Sequence, residues 1–415
     1  SKQAGLIQAK DGGRVELSSQ GSFFQSGEIQ VGKHGLIFYD PKNIIITRNI
    51  PSQPIPQTSY IEPITIETPL FNGSNVVLQA SNDITVDSGI SLDSFSEGNP
   101  FGNLTLQSGR NLSINQSISA FNTQITAISG DTSAKNTNPN LTEPGTPTLT
   151  INQGARINPG VDGTVTLAAV DGNFINNSPS DQGIGSIGRW HIYASNPTLS
   201  QEGSIGAPFN RHFNQTFIFG SEPDYATTGN WFFYSLAPIL RVSPSSESII
   251  YGQSIPLFKP QFTGFLEGDT PENTITGSAQ WQIEGEHSTT NNPVAGQHDV
   301  SYLGGLLSQR GYTIIDDQGS SNELTINPAE ISVSNFTAEN KTYDRDNKIR
   351  VDGTAFLSGT IDDDDVQLTG EGLLNDWNVG TNKPVTINFQ NVTLSGADGK
   401  NYQLIVNDIK DKAGN

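Results

Sequence analysis

From residue 1 to about residue 177, the chain consists of short runs in which apolar and polar residues alternate, and each run ends at Gly, Asn or Asp. Leu104 and Leu106 show the alternation, as do Leu112 and Ile114. A period of two is typical of β-strands, and the i, i+3, i+4 spacing of a helix is missing. The sequence therefore predicts strands and turns throughout this region.

These strands lie closer together than in a typical β-sandwich, and a coil of about 20 to 30 residues recurs. The inward positions are mainly Leu, Ile, Val and Ala. Together these features predict a right-handed parallel β-helix over residues 1–187, with roughly seven coils stacked about 4.8 Å apart. Two Pro-rich stretches, residues 49–69 and 136–148, are predicted to be loops that leave the rod.

Aromatic side chains are concentrated in residues 190–234, which hold 11 of the chain's 34. The end of a solenoid exposes unpaired strand edges and apolar side chains, and large rings cover much area per residue. We therefore expect residues 188–241 to cap the rod. An aromatic ligand groove is the alternative. The candidate glycan-stacking rings are Trp190, Tyr193, Trp231 and Tyr234.

Similar segments recur after residue 241. The matching pairs are Gly264 with Gly359, Tyr251 with Tyr343, and Tyr312 with Tyr402, at offsets of 95, 92 and 90 residues. A repeat of this length predicts two tandem small β-domains, Ig-like or β-grasp-like. We call residues 242–329 the first module and residues 330–415 the second module.

Composition excludes several classes of partner. The formal net charge of −20 repels phosphate backbones and anionic lipids, so we expect no nucleic-acid partner. No apolar run reaches the roughly 18 residues of a membrane span, so we expect no membrane insertion. The chain has no Cys, which excludes a disulfide framework and suits export through a bacterial periplasm.

Several stretches resemble a known family. "GRWHIYASNP" (188–197) and "NWFFYSLAPIL" (230–240) resemble the end of the shaft in filamentous haemagglutinin-like adhesins of the two-partner secretion type. The first module, with "IIYGQ" and "GFLEGDT", looks like their MBG-type repeats. The second module, with "KTYDRDN" and "LSGTIDDDDVQLTG", is similar to their YDG-type repeats, except that Arg345 replaces the Gly that names them.

The resemblance implies an internal fragment of a non-catalytic adhesin on the surface of a Gram-negative cell, exported by an outer-membrane two-partner secretion transporter. Its partner would be a glycan or protein receptor on a host cell or in a biofilm matrix. We expect a monomer without a cofactor, Ca²⁺ excepted. One alternative is the stalk of a contact-dependent toxin filament.

A carbohydrate-active β-helix enzyme is the alternative from another class. The polar residues near strand ends that such a site would use are Asp83, Asp87, Asp93 and Arg110. Each also suits a turn, because Asp is common there. His191 and His212 could bind haem or metal, or could be hydrogen-bonded histidines of the cap.

One acidic cluster is a candidate Ca²⁺ site, because this cation prefers oxygen ligands. Its members are Asp362, Asp363, Asp364 and Asp365. Consecutive residues of a strand point to opposite faces, so the four carboxylates converge only if the segment turns. A solvated turn is the alternative.

Overall fold

The computed structural model describes residues 6–92, 101–120, 122–135, 143–179, 184, 188–203, 205, 208–319, 323–361 and 363–405. The chain forms two compact units. The first unit contains residues 1–238 and 310–312, and the second contains residues 239–309 and 313–415. No helix in the described ranges is long and apolar enough to span a membrane.

Nearly all regular structure is β. The elements of the first unit are β1 (Ile7–Gln8), β2 (Arg14–Ser19), β3 (Phe24–Gln25), β4 (Ile29–Gln30), β5 (Leu36–Pro41), β6 (Asn43–Ile46), β7 (Thr58–Ile61), α1 (Ile64–Phe71), β8 (Asn75–Ala80), β9 (Ile84–Val86), β10 (Ile90–Ser91), β11 (Leu104–Ser108), β12 (Leu112–Ile114), β13 (Ile118–Ser119), β14 (Gln124–Ser129), β15 (Thr148–Ile151), β16 (Ile157–Asn158), β17 (Thr164–Ala169), β18 (Asn173–Asn176), β19 (Arg189–Ala194), β20 (Asn210–Phe213) and β21 (Trp231–Tyr234).

The elements of the second unit are β22 (Ile239–Pro244), β23 (Glu247–Ile250), β24 (Pro260–Thr263), α2 (Pro271–Thr274), β25 (Ile275–Ile283), β26 (Gly296–His298), β27 (Val300–Ser308), β28 (Thr313–Asp316), β29 (Leu324–Asn327), β30 (Ala329–Val333), β31 (Thr337–Ala338), β32 (Lys348–Asp352), β33 (Leu357–Ser358), β34 (Gln367–Leu374), β35 (Val385–Ile387), β36 (Thr393–Ser395) and β37 (Tyr402–Leu404).

Successive strands of the first unit join three parallel sheets in turn. The nine-stranded sheet has the order β2-β5-β8-β11-β14-β17-β19-β21-β20, the seven-stranded sheet β18-β15-β12-β9-β6-β7-β3, and a three-stranded sheet β10-β13-β16. Thus β8, β9 and β10 are followed by β11, β12 and β13 in the same three sheets. This all-β arrangement with parallel sheets is consistent with the predicted β-helix.

Inward side chains of neighbouring strands are aligned in columns. One column runs through Val76, Leu104, Ile125, Val165 and Trp190, and no member is more than 1% exposed. Partners in this column are 21 to 40 residues apart in the sequence. The longest separation contains residues 136–148, so the predicted coil length holds where no long insertion intervenes.

The prediction of strands and turns alone was wrong within residues 49–69. Instead of forming only a loop, this stretch supplies β7, which pairs with β6 and β3, and most of α1. Ile66 and Leu70 of α1 are fully buried. They are four residues apart, which places both on one face of the helix. Residues 136–142 of the second Pro-rich stretch lie outside the described residues.

The aromatic-rich segment supplies the last three strands of the nine-stranded sheet. The chain passes from β19 to β20 and then returns, so that β21 lies between them. On β19, Trp190 and Ile192 alternate with His191 and Tyr193, and all four are buried. The sheet is therefore covered on both faces here, which explains why aromatic residues replace the apolar and polar alternation found earlier.

Residues 214–229 cover the outer face of these strands. Tyr193 and Phe233 form an outer cluster with Ile128, Ala168 and Ala226. The ring of Phe217 packs 5.0 Å from the Tyr193 ring between centroids, and Ala226 is fully buried. The aromatic segment thus extends the sheet and carries its own outer cover.

The two modules of the second unit share a strand-pairing pattern. In the first module, β22 pairs with β24 in antiparallel and with β28 in parallel orientation. In the second module, β30 pairs in the same two ways with β33 and β37. The remaining sheets are β23-β29-β26, β25-β27 and β31-β32-β34-β35, with β36 on β34.

One hydrophobic cluster contains residues of both modules. Tyr251 and Leu324 of the first module pack with Ile331, Val366 and Tyr402 of the second. All five are at most 7% exposed. The two modules therefore share a core.

Candidate functional site

An open cavity of about 580 Å³ lies in the second module, lined by residues of two loops, 339–347 and 375–384. Tyr343 of the first loop and Trp377 of the second both line it, and they are 54% and 59% exposed. Val379 is 85% exposed, whereas Ile349 at the base is buried. We call this cavity the Tyr343–Trp377 groove.

The first loop is held by hydrogen bonds to its own backbone. Lys341 Nζ donates to the carbonyl oxygens of Asp346 and Lys348, at 3.0 and 2.7 Å. It also pairs with Asp344 at 2.9 Å. The hydrogen bond from Lys341 and the backbone N–H of Asp346 hold the pKa of Asp344 below its ordinary value. These contacts of Lys341 therefore hold the loop that carries Tyr343.

The second loop is held in the same way. Lys383 Nζ pairs with the carboxylate of Asp376, which also accepts the backbone N–H of Asn378 at 2.8 Å. The hydrogen bond from Lys383 is the main cause that lowers the pKa of Asp376. Because each lysine already has a carboxylate partner, the groove offers no unpaired lysine to an anion among its described lining residues.

The chemistry of the groove follows from these contacts. It presents two large rings on fixed loops, together with amide and hydroxyl side chains of Asn340, Thr381 and Asn382. Such a mixture binds molecules that have both an apolar face and several hydroxyl groups.

The turn that follows Tyr343 and Asp344 has a backbone suited to glycine. Arg345 has φ = 65°, in the left-handed region. Although Arg345 replaces the Gly of YDG-type repeats, the turn is therefore still left-handed, and the Arg345 side chain is exposed.

Residues 327–410 match the YDG domain. This match agrees with the predicted YDG-like module, and it includes every residue that lines the Tyr343–Trp377 groove. It covers about a fifth of the chain. Searches of curated proteins and of solved structures each returned no match.

Sequence reasoning did not single out Tyr343 or Trp377 of the YDG domain as a site. A signal was available, because "NDWNVG" places a Trp among Asn, Asp and Gly residues that favour an exposed turn. What the sequence could not show is that two segments 34 residues apart line one cavity.

The rings predicted to stack on a glycan lie elsewhere, and most are buried. Trp190 and Tyr234 are each 1% exposed and Tyr193 is 4% exposed. Trp190 packs on Phe209, and the Tyr234 hydroxyl donates to Glu202 at 2.8 Å. Trp231 is half-buried and stacks on Phe233. A sugar needs an open ring face, so Trp190, Tyr193 and Tyr234 do not qualify as stacking residues.

Asp364 and Asp365, two of the four predicted Ca²⁺ ligands, are hydrogen-bonded to different partners. Asp362 lies outside the described residues, and Asp363 is exposed. Asp364 Oδ2 accepts the hydroxyls of Tyr251 at 2.9 Å and Tyr402 at 2.5 Å, and Oδ1 accepts the hydroxyl of Thr290 at 2.6 Å.

Asp365 points to another partner, the backbone N–H of Ala397, at 2.9 Å. In the described ranges, no group of three His, Asp or Glu side chains is arranged to hold a metal ion. The Ca²⁺ site stays a prediction, because Asp362 is not described.

The residues considered for an enzyme are held in local pairs. Asp83 accepts two hydrogen bonds from the guanidinium of Arg110 and one from the N–H of Asn111. Asp87 accepts from the side chain of Asn115 at 3.0 Å. Asp93 lies outside the described residues. These contacts join neighbouring coils of the first unit.

The two histidines considered for haem or metal are part of the aromatic packing. His191 is buried beside Phe233 and lies 3.6 Å from Glu222. The ring of His212 packs 4.8 Å from that of Tyr225. Burial lowers the pKa of both histidines.

Proposed function

We propose that this chain is a non-catalytic binding segment of a bacterial surface adhesin and that the Tyr343–Trp377 groove binds a neutral glycan. The observation that carries the proposal is the pair of half-exposed rings on two internally braced loops. A preformed aromatic site binds without a large ordering cost. The polar groups around the rings suit the hydroxyls of a sugar.

Charge supports a neutral ligand over an acidic one. Both groove lysines are paired with carboxylates, and the whole chain carries a formal net charge of −20. A sulfated or uronate-rich polymer would be repelled at long range and would meet no unpaired lysine among the described lining residues. Neutral glycans of a host surface or biofilm matrix fit these constraints.

We also propose that the chain is part of a protein of the filamentous haemagglutinin-like type that its sequence resembles. The YDG match and the parallel sheets support a filamentous haemagglutinin-like protein. MBG-type character of the first module, which rests on the sequence resemblance, is part of the same proposal. Secretion through a two-partner outer-membrane transporter, display at the cell surface and a monomeric state are parts of this proposal.

The aromatic segment as a cap also belongs here. Its strand β20 is the last of the sheet. Phe213 of β20 donates its N–H to the carbonyl of Arg310 at 2.6 Å, and the ring of Tyr312 packs on Phe213. Residues 310–312, which lie outside the predicted cap, thus cover the outer edge of β20 and complete the cover that the end of a solenoid needs.

A panel of neutral and acidic glycans tests the proposed function. We expect the full chain to bind at least one neutral glycan, and Trp377→Ala and Tyr343→Ala each to weaken binding by about tenfold. Leu257→Ala is the control, because it removes a 94% exposed side chain of the same unit outside the groove lining. Unchanged binding of every bound neutral glycan by Trp377→Ala would contradict the proposal, and shortened products in the assay would support the enzyme instead.

A further inference from the structure

The outer face of the nine-stranded sheet carries a second groove, of about 490 Å³. It runs from Leu36 of β5 to His191 of β19 and crosses six neighbouring strands. Since neighbouring strands lie about 4.8 Å apart, its length is about 24 Å. We call it the sheet groove.

Its floor is largely uncharged and polar, with Leu36 and Val77 at the end formed by β5 and β8. Thr105, Thr126 and Thr166 form one row across three strands. Asn75 and Asn103 lie in a parallel row. Asn75 Oδ1 accepts the backbone N–H of Asn103 at 2.9 Å, and Asn103 Oδ1 accepts the backbone N–H of Gln124 at 3.4 Å. Their amide nitrogens and the Thr hydroxyls repeat with the spacing of the strands.

One end of the sheet groove has an apolar wall that is already in place. Phe219 is 58% exposed and lines the groove together with Glu222 of the same segment. Arg189 donates to Glu222 at 2.8 Å and to the carbonyl of Thr227 at 2.6 Å, so the segment is fastened to β19. A ligand would meet this wall without having to order it.

His191 completes this end of the sheet groove. Its Nε2 atom is buried and has no hydrogen-bond partner within the described part of the chain. Burial lowers the pKa of His191, so the ring is neutral at neutral pH. The neighbouring charges of Arg189 and Glu222 neutralise each other. The sheet groove therefore favours an uncharged ligand.

We infer that the sheet groove binds a linear neutral polysaccharide that lies across the strands. A sugar ring in an extended chain is comparable in length to one strand spacing, about 4.8 Å. A sugar over β8, β11, β14 or β17 can then meet a Thr or amide side chain at that strand, while a terminal sugar packs on Phe219. This site lies in the first unit and does not depend on the Tyr343–Trp377 groove.

Oligosaccharide length provides the test. Neutral gluco-, galacto- and manno-oligosaccharides, from disaccharide to hexasaccharide, would be titrated against the full chain by calorimetry. For at least one series we expect affinity to rise with each added sugar up to about five or six, because the groove spans six strands. Equal affinity at all lengths, or binding of none of the series, would overturn the inference.

Matched variants locate the site. Phe219→Ala removes the exposed wall, and Thr105→Tyr places a ring in the middle of the floor. Each should lower the affinity for the longest oligosaccharide by about tenfold. Thr85→Tyr, a half-buried position of β9 in the seven-stranded sheet, should leave it unchanged.

Trp377→Ala should also leave the length dependence intact, which separates this site from the Tyr343–Trp377 groove. Loss of all binding in Trp377→Ala would refute the inference, as would an equal loss in Thr85→Tyr. Circular dichroism of each variant checks its fold, and Phe219→Ala keeps the test valid if Thr105→Tyr does not fold.

Discussion

Gly264 and Gly359 occupy equivalent positions in the two modules. Both have a positive φ, 105° and 95°. A Cβ atom on Gly264 would lie 2.5 Å from the carbonyl oxygen of Ile239, and one on Gly359 would lie 3.1 Å from that of Glu330. Ile239 and Glu330 belong to β22 and β30, which have the same pairing pattern. The two glycines thus share a left-handed backbone and a place beside strands with the same pairing pattern.

Alanine at either glycine should destabilise the second unit. The left-handed backbone alone costs roughly 1–2 kcal/mol for an L-residue. Gly264→Ala should cost more than Gly359→Ala, because its Cβ would overlap a carbonyl oxygen more closely. Urea unfolding measures both. Gly319→Ala is the control, since its Cβ would meet nothing closer than 3.6 Å; a loss there as large as at Gly264 would contradict the argument.

Arg345→Gly should leave the second unit as stable as before or stabilise it by up to about 1 kcal/mol. The change removes the left-handed strain of an L-residue, offset by the larger backbone entropy that Gly loses on folding. Arg345→Val should destabilise, because a β-branched residue tolerates positive φ poorly. Thermal unfolding of the three chains should rank them Gly, Arg, Val. The reverse ranking would show that the turn is not left-handed.

Asp364→Asn should destabilise the second unit by about 1–3 kcal/mol, since hydrogen bonds to a charged acceptor are strong. The hydroxyls of Tyr251 and Tyr402 both donate to Oδ2. The side chain of Asn has only one acceptor oxygen, so it cannot accept hydrogen bonds from both tyrosines and from Thr290 as the carboxylate does. Burial, and then the bond to Asp364, raise the pKa of Tyr402, so its hydroxyl remains a donor.

Asp363→Asn is the matched control for Asp364→Asn, because Asp363 is exposed and Asn tolerates its φ of 71°. Chemical denaturation compares the two variants. Equal losses would mean that the position of the carboxylate among the tyrosines is unimportant.

The first unit should lose stability as the pH falls below 6.5, the ordinary pKa of histidine. Burial lowers the pKa of His191 and His212 in the folded chain, while Glu222 beside His191 partly opposes this and Arg189 reinforces it. The unfolded chain therefore takes up protons first. Stability is complete above pH 6.5 and declines below it.

Thermal unfolding between pH 8 and pH 5 measures this effect. His191→Gln should reduce the decline between pH 6.5 and pH 5, whatever its effect at pH 8. An unchanged slope in His191→Gln would argue against the buried histidine as a source of the effect.

The parallel sheets could be predicted because inward residues such as Leu104 and Leu112 alternate with polar residues. This alternation indicates strands that have one buried face and one exposed face. That signal fails at β19, where Trp190 and Tyr193 face opposite sides and both are buried. The sequence shows that these rings need cover but not that residues 214–229 provide it. The prediction of stacking rings therefore fails for the buried Trp190, Tyr193 and Tyr234 and stays a prediction for Trp231.

Helix α1 was missed for a related reason. Its buried residues Ile66 and Leu70 give only one four-residue spacing, and they lie inside a Pro-rich stretch. This helical signal is too short to outweigh the strand pattern on either side. The Tyr343–Trp377 groove is lined by two loops that are distant in the sequence. A pattern of residues adjacent in the sequence does not show which loops lie together. The YDG-type character of the second module could be predicted, because the "KTYDRDN" motif is a local feature.

The core shared by the two modules has a mechanical consequence. Val366 and Ile331 of the second module are packed with Tyr251 and Leu324 of the first. Unfolding of either module would therefore expose part of the hydrophobic core of the other. A chain stretched from its ends in a force experiment should therefore release both modules in a single long extension. Under tension, the two modules would therefore resist unfolding as one unit rather than as two weaker ones.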